Sequence, residues 1–142
     1  MKIPYKGGGV AFFKKMPDGE YAILLGKRTG KREHDKWSIP GGKYESYDKT
    51  FLDAALRETR EEIGVDVLKA AINKEPVIYR ANLLFFVWET YMYEVAPDFP
   101  VPTKFHEFSE MKFIPLQELR KYKLAFCVKQ EIKTFLKYVC TK

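Results

Sequence analysis

The chain is poor in the residues that staple or metallate small proteins. It has two cysteines and two histidines in 142 residues. Cys127 and Cys140 have no nearby metal-ligand partner and are expected to be free core or surface thiols in a reducing cytosol. No apolar run approaches bilayer length, and the N-terminus lacks the apolar core of a signal peptide, so a cytoplasmic location without a membrane partner is expected. Repeats, low-complexity tracts and linkers are absent as well. What is present is an apolar fraction of 46% and an aromatic fraction of 15%, which exclude disorder. The length fits one domain over residues 1–142. A net charge of +6 would suit an anionic substrate, but the lysines are scattered and Lys129, Lys133 and Lys137 recur at helical spacing, as on a solvated helix face. With no nucleic-acid-binding motif, no stable nucleic-acid partner is expected.

Gly7-Gly8-Gly9 reads as a flexible lead into a strand at Val10–Phe13. Met16-Pro17-Asp18-Gly19 then makes a turn and Tyr21–Leu25 a return strand. Lys27 to Lys36 is polar and reads as a loop. Trp37-Ser38-Ile39 leads into Pro40-Gly41-Gly42, a bend where backbone can approach a ligand. A helix is expected from Thr50 to Ile63, with Thr50 and Asp53 spaced as in a capping box and Gly64 as its stop. Its stripe would be Leu52, Leu56, Thr59 and Ile63, with Ala55 beside it. Strands are expected at Val77–Arg80, Leu83–Val95 and Met111–Ile114. A short helix from Pro115 to Lys121 and a longer one from Phe126 to Tyr138 would follow, giving an α/β layered domain.

On the Thr50–Ile63 helix, Glu58, Glu61 and Glu62 fall at i, i+3 and i+4 and project from one face. Like charges at that spacing cost roughly 0.2–0.5 kcal/mol per pair. Arg57 and Arg60 could neutralise them on an ordinary solvated helix. A hard divalent cation would also do so, because Mg²⁺ takes carboxylate oxygens together with waters and substrate phosphates.

The wider context separates these readings. Gly42 to Val65 resembles the Nudix box, G-x5-E-x7-R-E-U-x-E-E-x-G-U, with matches at Gly42, Arg57, Glu58, Glu61, Glu62, Gly64 and Val65. Thr59 occupies a position usually bulky and apolar. Trp37 and Pro40-Gly41-Gly42-Lys43 match the usual lead-in. The spacing from Gly42 to Arg57 is one residue too long, so Lys49 stands where the first glutamate is counted back from Arg57 and Asp48 where it is counted forward from Gly42. The extra residue is expected in the loop Lys43 to Asp48, with Asp48 supporting Arg57 and Glu45 as the other carboxylate in reach.

The resemblance implies a Nudix-type α/β/α sandwich with a mixed β-sheet, and hydrolysis of a nucleoside diphosphate linked to another group X with Mg²⁺ or Mn²⁺. By position, Glu58, Glu61 and Glu62 would ligate the metal with the carbonyl of Gly41, and Arg57 would orient the carboxylates. The general base would be a box glutamate, or Glu107 or Glu110 from the loop before the last strand, Glu107 being slightly favoured. Arg28 and Lys43 would meet the phosphates, with Lys27 and Arg32 as weaker candidates; His34 reads as an exposed loop residue. Phe12, Tyr79, Phe86 and Phe126 are the aromatics considered for stacking on the base or X group. The leading substrate is a (d)NTP or oxidised (d)NTP cleaved to NMP and pyrophosphate. ADP-ribose, dinucleoside polyphosphates and RNA 5′ ends are other enzyme options, and a catalytically silent nucleotide sensor is the option of another class. The resemblance also admits a homodimer.

Overall fold

A computed structural model describes residues 4–141. The strands are β1 (Tyr5–Lys15), β2 (Tyr21–Arg28), β3 (Trp37–Ser38), β4 (Gly41–Lys43), β5 (Val77–Leu83), β6 (Phe86–Glu94) and β7 (Phe108–Pro115). The helices are α1 (Phe51–Ile63), α2 (Val67–Ala70) and α3 (Val128–Cys140), with a 3₁₀ turn at Leu116–Lys121.

The sheet is mixed. β1 runs parallel to β6 along one edge, while its other edge is shared: β4 pairs antiparallel with Gly7 to Gly9, and β2 with Phe13 to Lys15. β5 adds antiparallel to β6, and β7 and β3 to β2. Alternation along β1 explains the layers. Val10 and Phe12 join a core with Ala55, Ile63, Val67 and Phe108 on the α1 side. Ala11 and Phe13 join a second core with Trp37, Val128, Ile132 and Phe135 on the α3 side. A strand buried on both faces reads as a continuous apolar run, as Val10–Phe13 does. The result is an α/β/α sandwich around a mixed sheet.

The turn at Met16–Gly19 and the β1–β2 hairpin form as expected, with Gly19 at φ 86°. Thr50 caps α1 by accepting from the Asp53 N–H at 3.0 Å, and Gly64 ends it in the left-handed region at φ 70°. Cys127 and Cys140 are free thiols, one buried and one exposed.

Other expectations need correction. Gly7-Gly8-Gly9 is not a flexible lead but part of β1, where a Cβ on Gly7 would meet the Gly42 carbonyl oxygen at 2.5 Å. Lys27 and Arg28 belong to β2, not to the loop. Leu83 closes β5, with the turn at Leu84-Phe85, so the expected long strand is the end of one strand and the whole of the next. α3 begins at Val128, after Phe126 and a Cys127 held at φ 78°. The short helix α2 was not anticipated. The buried face of α1 is Ala54, Ala55, Thr59, Glu62 and Ile63, whereas Leu52 and Leu56 are only partly buried. The cause is the backbone of Gly8, which lets α1 approach β1 until Ala55 Cβ lies 3.3 Å from the position of an added glycine Cβ.

Candidate active site

The C-terminal half of α1 faces β4 and the segment that precedes β7. Glu62, 6% exposed, accepts the Gly41 N–H at 2.6 Å. Glu58 folds over Gly42, so that a Cβ there would stand 2.4 Å from the Glu58 carboxyl carbon. Only glycine leaves room for that carboxylate. Glu61 points outward and its side chain is 57% exposed.

Arg57 ties this face together. Its Nε and Nη2 donate to the two Asp48 oxygens at 3.0 and 2.8 Å, a bidentate pair, and Nη2 also donates to the Lys43 carbonyl at 3.1 Å. Nη1 donates to Glu58 Oε1 at 2.9 Å and reaches Glu61 Oε2 at 3.3 Å. Asp48 therefore takes up Arg57 across the lengthened loop. Glu45 contributes backbone instead: its N–H donates to Asp48 Oδ2 at 2.8 Å. The Arg57 guanidinium holds the buried Asp48 carboxyl below its usual range, with backbone donation from Glu45 adding to the effect. Arg57 is in turn raised, first by Asp48.

Glu107 arrives from the chain before β7, with its backbone in the left-handed region at φ 66° and its carbonyl accepting the Thr29 N–H at 3.1 Å. The neighbouring His106 N–H donates to the Glu62 backbone carbonyl at 2.8 Å, which docks this segment on the end of α1. Burial, a hydrogen bond with Glu107 and the charges of Glu107 and Glu58 push the Glu62 carboxyl up to about 9, against the Gly41 N–H. Burial also raises Glu58, against Arg57. Glu110 lies elsewhere, exposed on β7 and 3.5 Å from Lys112.

Glu62 and Glu58 against the glycines of β4, with Glu107 close to Glu62, offer oxygen donors of the kind a hard cation takes. Among the described residues no three carboxylate, imidazole or thiol side chains are placed together so as to hold a metal ion. The guanidinium of Arg57 instead lies on the side of Glu58 and Glu61.

A cleft of about 280 Å³ adjoins the carboxylates at Gly41. Arg28, Arg32, Glu33, Tyr5, Phe86, Trp88, Phe126 and Glu131 supply most of its lining chemistry. Tyr5 joins the two regions: burial raises its hydroxyl, as do the charges of Glu58 and Glu62, while Arg32 and Arg28 lower it. Arg28 reaches Ser38 Oγ at 3.4 Å and the Arg32 carbonyl at 3.3 Å. Tyr5 stacks on Phe86 at 5.8 Å and Phe86 on Trp88 at 6.2 Å, with Phe126 edge-on to Phe86 at 5.7 Å. The loop after β2 fixes the mouth, because Glu33 Oε2 accepts the Phe126 N–H at 2.8 Å.

Of the aromatics considered from sequence, Phe86 and Phe126 line the cleft. Phe12 is fully buried on the α1 side, and Tyr79 packs in the opposite core with its hydroxyl 3.9 Å from Cys127 Sγ. Lys43 and Lys27 are outside the lining. His34 is an exposed loop residue whose Nδ1 lies 3.0 Å from the Thr29 carbonyl oxygen. Sequence reasoning missed Tyr5, Glu33, Trp88 and Glu131. Glu131 lies on the buried face of α3 with Val128, Ile132 and Phe135, where an isolated carboxylate gives no sequence signal, and only the sheet register brings Tyr5, Phe86 and Trp88 together.

The site is thus a carboxylate-bearing helix laid on the glycines of β4 in an α/β/α domain, beside an aromatic cleft. The family model described as the NUDIX domain matches residues 7–137, and the chain belongs to the Nudix family. Membership of that family indicates a hydrolase of pyrophosphate bonds. A Nudix hydrolase from M. smegmatis, RenU, is similar with a TM-score of 0.76 and 18% identity, over 99% of this chain and 89% of that one. A C. elegans Ap4A hydrolase is similar with a TM-score of 0.74 and 18% identity, over 97% and 99% of the two chains. A Francisella tularensis bifunctional NMN adenylyltransferase/ADP ribose pyrophosphatase, complexed with AMP and a Mn ion, has a TM-score of 0.74 and 18% identity over 97% of this chain and 42% of that one. At that identity the likeness establishes the fold. No curated protein sequence matches the chain. Among the described residues, no helix is long and apolar enough to cross a membrane.

Proposed function

We propose that residues 1–142 form one Nudix domain that hydrolyses nucleoside diphosphate-X compounds with Mg²⁺ or Mn²⁺, with a (d)NTP or oxidised (d)NTP as leading substrate and NMP and pyrophosphate as products. The observation that carries this reading is that Glu58 and Glu62 lie against the glycines of β4, with Glu107 close to Glu62, next to a cleft with two arginines and four aromatic rings. Glu58, Glu61 and Glu62, with the Gly41 carbonyl, would hold the metal, and Arg57 positions the carboxylates through its bonds to Asp48 and Glu58. Bound there, a divalent cation neutralises phosphoryl oxygens and acidifies water.

Glu107 is the general base in this reading. It takes a proton from a water that forms a bond to one phosphorus, and the bond from that phosphorus to the bridging oxygen breaks, the oxygen leaving with the second phosphate. Arg28 and Arg32 in the cleft wall, with the exposed Lys43 beyond it, supply cations for the phosphates. The base or X group stacks among Phe86, Trp88 and Phe126. A second reading, cleavage of a dinucleoside polyphosphate or ADP-ribose, draws support from the names of the C. elegans and F. tularensis proteins.

Magnesium-dependent product release from a panel of (d)NTPs, oxidised dNTPs, ADP-ribose and dinucleoside polyphosphates tests the proposal. Turnover of at least one member, lost in Glu61→Gln, is the expected result. Full turnover by Glu61→Gln would sink the assigned metal shell.

A further inference from the structure

Glu131 is out of keeping with its surroundings. It lies in the first turns of α3, is 1% exposed, and forms part of the wall of the aromatic cleft. Its neighbours there are Phe86, Trp88, Phe126, Cys127 and Val128. Its Oε1 is the one buried side-chain oxygen or nitrogen without a hydrogen-bond partner among the described residues. Leaving such an atom unsatisfied costs about 1–3 kcal/mol.

The other oxygen is committed, and its polarity can be worked out. An indole N–H can only donate, so Trp88 Nε1 donates to Thr90 Oγ1, at 2.7 Å. The Thr90 hydroxyl, accepting from Trp88, spends its own proton on Glu131 Oε2. Oε2 is thereby held as an acceptor. If the carboxyl carries a proton, that proton belongs on Oε1. Burial favours the neutral acid, pushing this carboxyl up to about 8 although Thr90 and Trp88 both pull it down.

We infer that Glu131 is a specificity residue of the cleft, its Oε1–H donating a hydrogen bond to an acceptor on the edge of a nucleobase, a ring nitrogen or a ring carbonyl. The inference rests on the base entering this cleft as proposed above. The aromatic rings hold any base by its faces, and stacking of that kind discriminates little between bases. A single buried donor in the wall does discriminate, because a base lacking an acceptor there leaves the donor unpaired.

The glutamine variant makes this testable. In Glu131→Gln the amide oxygen would replace Oε2 as the acceptor for Thr90, and the amide N–H would replace Oε1–H. Leucine at 131 has neither group. Binding of AMP, GMP, UMP, CMP and, as a base-free control, ribose 5-phosphate is measured by calorimetry without metal. We expect the wild type to bind one nucleotide more tightly than ribose 5-phosphate. Glu131→Leu should weaken that nucleotide about tenfold and leave ribose 5-phosphate unchanged, while Glu131→Gln should stay within about threefold of wild type. An intact base preference in Glu131→Leu overturns the inference. A loss in Glu131→Gln equal to that in Glu131→Leu overturns it too, since Oε1 would then be accepting. If the wild type binds no nucleotide better than ribose 5-phosphate, this inference fails, and metal-dependent turnover judges the hydrolase reading separately. Should Glu131→Leu not fold, Thr90→Val serves instead: it keeps the carboxyl but frees Oε2. The base preference should then fall, and its persistence would also overturn the inference.

Discussion

The two halves of the site solve opposite electrostatic problems. At the carboxylate end, negative groups outnumber the single guanidinium among them, and Arg57 is spread over Asp48, Glu58 and Glu61. In the cleft, Arg28, Arg32, Glu33 and Glu131 are set among aromatic rings, and burial favours the neutral form of Glu131. In the proposed function the first half takes a cation, and the second takes a flat apolar group with a polar edge, with Arg28 and Arg32 there for the phosphates. The carboxylate end should therefore govern turnover and the cleft should govern affinity. Tyr5 and Gly41 stand where the halves meet.

The sharpest way to break that division is at Glu62. Its replacement by Gln keeps the shape and the contact with the Gly41 N–H but removes the charge a cation needs. Turnover should fall about a thousandfold, equivalent to several kcal/mol of lost transition-state stabilisation, with nucleoside monophosphate binding in the cleft unchanged. Calorimetry beside steady-state kinetics checks both. Asp48→Ala comes next. It strands Arg57 beside a buried gap, and chemical denaturation should show a loss of about 3 kcal/mol, as for a broken buried pair. Asp48→Asn should lose less, since one oxygen still accepts from Arg57.

On the cleft side the effects are smaller. Phe86→Ala removes the ring between Tyr5 and Trp88, and KM should rise about tenfold, as for one lost stacking partner worth ~1–3 kcal/mol, with kcat nearly unchanged. A large fall in kcat would blur the boundary between the halves. A separate effect, on stability and not on turnover, concerns pH. Glu131 is raised from 4.5 to about 8 in the folded protein, so the native state binds more protons than the unfolded state between those values. Its contribution to stability is complete below the unfolded pKa and is lost as pH rises through the folded one. Urea midpoints should decline from pH 5 to pH 8, and less steeply in Glu131→Gln, which has no proton to lose.

The legibility of the two halves also differs, for the same structural reason. Arg57, Glu58, Glu61 and Glu62 lie within two turns of one helix, so helical periodicity puts them on a common side without reference to the rest of the chain. Asp48 could be named because the loop is short and its reach is limited. Glu107 could be offered only as one of two carboxylates; its left-handed backbone and the docking of His106 on α1 bring it, and not Glu110, close to Glu62. The cleft left almost no local mark. Phe12 and Phe86 are alike in sequence, yet one is sealed beneath α1 and the other faces the cleft. Leu52 and Leu56 made an apolar stripe that the close approach at Gly8 turned aside in favour of Ala55 and Thr59.

By itself, then, the sequence determined the family, the layered α/β architecture and the helix that carries the carboxylates, because each depends on contacts between residues near in the chain or on a spaced motif. The tertiary structure alone decided which aromatics form the cleft, that Glu107 meets Glu62, and that Glu131 is buried with one free oxygen. Those depend on the parallel register of β1 against β6 and on where α3 begins, which distant packing sets and local periodicity does not encode.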